Sequence, residues 1–76
     1  MLADNLSMQD LFMQLGLDHD EESMEAFFEA HAGLDPATRL EDASFWSESQ
    51  ATFIRSEWAE DAEWAELIDQ LNIRLR

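Results

Sequence analysis

The sequence contains no cysteine, no lysine and no valine, and only one proline and two glycines. Without cysteine, disulfides, zinc knuckles and thiol nucleophiles are ruled out. With four arginines as its only strong cations, the chain has the wrong sign for grasping nucleic-acid phosphates, where affinity comes from Lys and Arg. No alternating Val/Ile/Thr run exists, so strand signals are missing. So little glycine and proline excludes a low-complexity linker. Apolar stretches are only a few residues long, and no membrane span is expected. A helix lying on an anionic membrane would want Lys and Arg on its polar face. Met1 to Asp10 holds neither cation nor an apolar stretch of roughly 7–15 residues, so no signal peptide is expected. The expected location is the cytoplasm.

What is present is acid and apolar bulk. Eighteen Asp and Glu set a formal net charge of -14 on 76 residues. Such a charge leaves a chain disordered when it has little to bury. Here 46% of residues are hydrophobic, with five Phe and three Trp, so a folded chain is expected. At 8.8 kDa it is too short for a two-domain enzyme, a barrel or a doubly wound nucleotide fold. Residues 1–76 are read as a single helical domain. A core of this size rarely yields more than about 3–5 kcal/mol, and carboxylate repulsion subtracts from it. Self-association is one way such chains recover stability.

Four segments carry helical spacing. Ser7 is a good N-cap, with Asp10 placed to favour the positive end of the helix dipole. Met8, Leu11, Phe12 and Leu15 share one face, and Gly16 supplies a stop. Asp18 and Glu21 have capping-box spacing for a second helix, whose face is Met24, Phe27, Phe28 and His31. Gly33 ends it, and Asp35-Pro36 turns the backbone away from helix. Residues 33–46 read as a connecting loop tacked down by Leu34, Leu40 and Phe45. Ser47 with Gln50 is a second capping box, opening a segment with Ala51, Ile54 and Trp58 on one face and Phe53 beside it. Trp64, Leu67, Ile68, Leu71 and Leu75 form the last stripe, with Arg74 and Arg76 suiting its C-terminal end. No glycine or proline separates the last two segments. Their stripes are rotated relative to each other, so a break near residues 58–61 is expected.

Asp18, Asp20, Glu22 and Glu29 match four positions of a calcium loop. Ser23 stands where that loop needs glycine, and Met24 to Phe28 reads as helix, so acidic capping is the preferred reading. His19 and His31 lie about 120° apart on a helix and do not converge. No serine sits in a Gly-x-Ser-x-Gly elbow, and no glycine-rich phosphate loop exists. No catalytic residue, metal ligand or cofactor site is assigned.

Phe45, Trp46, Phe53, Trp58 and Trp64 crowd into one part of the chain. Core packing is the plain reading. The alternative is an interaction surface, because aromatics are enriched where proteins meet. At least one Trp should be partly exposed, Trp46 or Trp58 first among them. The acidic run Glu57, Glu60, Asp61, Glu63, Glu66 and Asp69 reads as a solvated face, with docking of a basic partner as the alternative.

One resemblance spans nearly the whole chain. It rests on Phe45-Trp46, Gln50, Phe53, the Glu60-Asp61-Ala62-Glu63-Trp64-Ala65 block and Leu71 through Leu75-Arg76. Leu11-Phe12, Leu15-Gly16-Leu17, Glu25-Ala26-Phe27 and His31 extend it toward the start. These residues resemble a family of small bacterial proteins known as domain of unknown function 2789. The chain departs from that pattern at His19, where proline is usual; this affects only a helix start. The resemblance implies a stand-alone proteobacterial protein of about this length, and it brings no activity and no catalytic residues.

The expectation is therefore an all-α fold: a small bundle of about four helical segments, the last two forming a longer helical hairpin or a kinked helix. The expected function is a non-catalytic protein–protein interaction or regulatory module, not an enzyme, whose partner is another protein or a second copy in a homodimer. Nucleic acid and membrane are not expected partners. The alternatives are an acidic nucleic-acid mimic that antagonises a basic protein, and a small-molecule-binding module.

Overall fold

The structure is a computed structural model that describes residues 6–76. The expectations touching Met1 to Asn5, a missing leader and the start of the 1–76 domain, lie outside the described residues. Four α-helices follow one another: α1 Met8–Gln14, α2 Glu21–His31, α3 Glu48–Glu60 and α4 Ala62–Leu75. A single 3-10 turn, Leu40–Asp42, interrupts the long connection between α2 and α3. No strand occurs among the described residues.

Local chemistry sets the ends of α1. The Ser7 hydroxyl accepts from the Asp10 amide, and the Asp10 carboxylate accepts from the Ser7 amide, completing a reciprocal box. At the other end Gly16 takes φ +75. The Leu17 amide then donates to the Phe12 carbonyl and the Gly16 amide to the Met13 carbonyl, both within 3.0 Å. This is the Schellman arrangement, which satisfies carbonyls the helix leaves open.

The start of α2 differs from the sequence expectation. Asp20, not Asp18, is the N-cap, and its carboxylate accepts from the Ser23 amide at 2.9 Å. The reason lies in α1. The Gln9 side chain donates to the His19 carbonyl at 3.0 Å, which holds that residue in the linker rather than in a helical turn. Hydrogen bonds from the Ser23 hydroxyl and amide hold the Asp20 carboxyl below its usual range.

The connection from residue 33 to 46 is pinned along its length. The Leu34 amide donates to the Leu75 carbonyl at 2.8 Å. Arg76 donates to the carbonyls of Asp35 and Thr38, each at 2.8 Å. Leu40 and Ala43 are buried. Of the two tryptophans expected to be partly exposed, Trp58 is, whereas Trp46 is only 8% exposed. Its indole N–H has a partner inside, the Leu40 carbonyl at 2.8 Å, so burying the ring strands no donor.

The expected break between the last two segments is a single residue. Asp61 adopts φ -125 and ψ 111, ending α3 and capping α4 through the amides of Glu63 and Trp64. The hairpin therefore turns without glycine or proline. The stripe Leu67, Ile68, Leu71 and Leu75 faces the core, where it joins Leu11, Phe12, Phe28, Leu40 and Ile54. α4 packs on α1, α2 and α3 and is the central element. Arg74 fastens it to α2, with its guanidinium 4.1 Å above the Phe28 ring and 3.1 Å from Glu25. Among the described residues no helix is long and apolar enough to cross a membrane.

Candidate functional site

The five aromatics singled out from the sequence separate into two groups. Phe45 and Trp46 join Phe27 and His31 in a stack that closes the long connection onto α2. The His31 and Phe45 rings lie 4.2 Å apart and nearly parallel, and Phe27 meets His31 at 4.5 Å. Phe45 and Trp46 are 4.8 Å apart. Held by rings on either side, the His31 imidazole serves packing. This group is an extension of the core.

Phe53, Trp58 and Trp64 form the second group, on the α3–α4 hairpin. All three are partly buried. Phe53 meets Trp64 edge to face at 5.6 Å. The Trp58 indole crosses the hairpin to donate to Asp69 at 2.9 Å. Such pairs fix ring orientation beyond what area burial alone contributes. The hairpin thus presents ordered, partly exposed aromatics.

Beside them the open outer face of α3 presents Ser49, Thr52, Phe53 and Ser56, with Glu48 and Glu57 on opposite flanks of the helix. Sequence reasoning did not single out Ser49, Thr52 and Ser56. Their steps of three and four mark a polar ridge opposite Ile54, which was readable as an outer face. Two further apolar side chains stand out in solvent, Met13 at 55% and Ile73 at 71% exposure. Ile73 belongs to a smaller depression of about 260 Å³ with Met8, Gln70 and Arg74. Another, of about 340 Å³, lies between α1 and α2 beside Phe12, Leu17 and Phe27.

The electrostatics around the hairpin are one-sided. Glu57, Glu60, Asp61, Glu63, Glu66 and Asp69 lie on or beside its turn. Among the described residues the ion pairs are Arg55 with Asp42 and Arg74 with Glu25, so none of those six carboxylates has a cation within pairing distance. No charged side chain is buried among the described residues. The carboxylates of the calcium-like spacing do not converge. Asp20 caps α2, and Glu22 and Glu29 lie about two turns apart along it. Among the described residues no group of three His, Asp or Glu side chains is placed to hold a metal ion. The arrangement on the hairpin can bind through apolar contact and through carboxylates as acceptors.

Neither curated proteins nor solved structures provided a match to the chain. The family model described as "Protein of unknown function (DUF2789)" matches residues 1–75, so the chain belongs to the DUF2789 family.

Proposed function

We propose that this chain is a small non-catalytic interaction module that meets a protein partner through the α3–α4 hairpin. One observation carries the reading: the ordered, partly exposed Phe53–Trp64 pair lies amid carboxylates that the chain's own arginines do not neutralise. Interaction surfaces favour partly exposed aromatics at their centre with a polar rim. Phe45 and Trp46 are left out of the contact face, because they pack on α2 and Leu40. Cytoplasmic residence fits the reading.

Native mass spectrometry of the protein captured gently from its own cells tests it. The expected result is added protein mass on the wild-type chain and its loss from a Thr52→Arg variant, whose exposed position leaves the core intact. A bare single chain in both samples counts against the module. Added nucleic acid or small-molecule mass, retained by both, replaces it with another reading.

A further inference from the structure

We draw no further inference here: the strongest candidate, the depression between α1 and α4 where Met8, Gln70 and Arg74 surround the exposed Ile73, carries nothing, because nothing in the structure shows what covers it.

Discussion

Gln50 joins the beginning of α3 to the end of α1. Its side-chain oxygen accepts from the Ser47 amide at 2.8 Å, and its nitrogen donates to the Leu15 carbonyl at 2.8 Å, 35 residues away in sequence. The first bond is a local cap that Glu would make as well. The second needs an amide. Gln50→Glu should therefore keep the capping box and lose the tether, placing a carboxylate against a carbonyl. The expected cost is about 1–2 kcal/mol, read as a lower urea midpoint with an unchanged slope. Stability equal to wild type would show that the Leu15 bond contributes nothing.

The buried indole of Trp46 makes a second prediction. In Trp46→Phe the Leu40 carbonyl keeps the Ala43 amide at 3.1 Å and loses its shorter partner at 2.8 Å. A loss of about 1–2 kcal/mol is expected, a large share of the roughly 3–5 kcal/mol available to a domain this small. Acrylamide quenching supplies an independent check. Trp46 alone, in a Trp58→Phe/Trp64→Phe background, should be shielded, whereas quenching like that of free indole would place the ring outside.

Acid should loosen the start of α2 once the Asp20 carboxyl takes up a proton. The Asp20 carboxyl is held below the ordinary aspartate range by hydrogen bonds from Ser23, so its ionised form is the one the fold favours. The cap is fully present above that range and is lost as pH falls through the lower folded-state value. The Ser23 amide should exchange faster over that acid range in wild type. Asp20→Asn, which still accepts from the Ser23 amide, should show a flat response. An equal acid response in both proteins would rule out the Asp20 cap as its source.

Added salt should stabilise this protein. The carboxylates outnumber the arginines by eighteen to four, and the two ion pairs among the described residues are solvent-exposed, so screening removes more repulsion than attraction. The melting temperature should climb as sodium chloride approaches about 1 M, where the Debye length shrinks to about 3 Å. A flat or falling curve would show that the surface repulsion is unimportant.

The helix starts at Ser7 and Ser47 were legible because a capping box is complete within four residues. The start of α2 was not. Several acids in succession satisfy the same local rule, and a bond from Gln9 on another helix chooses among them. The break at Asp61 could be placed because two rotated apolar stripes cannot face one core on a straight helix. Of the two tryptophans named as partly exposed, Trp58 is and Trp46 is not, because the burial of Trp46 depends on a carbonyl six residues back, delivered by a 3-10 turn that leaves no periodic signal. The site was partly legible. Aromatic richness was visible, but neighbours in sequence such as Phe45 and Phe53 go to different faces once α3 begins. The ridge Ser49, Thr52 and Ser56 was readable as outward-facing. Its being left uncovered is decided by where α1 and α4 pack.

The connection between α2 and α3 has one further consequence. It is almost without regular structure, yet its Leu34 amide and its Asp35 and Thr38 carbonyls are tied to Leu75 and Arg76, and Leu40, Ala43 and Trp46 are buried in the core. Peeling it away disrupts the last turn of α4 and uncovers Leu40 and Trp46 together. Residues 33–46 are therefore expected to open together with the helices rather than on their own. A protease cutting there would report the global unfolding equilibrium of the protein, as though it had cut inside a helix.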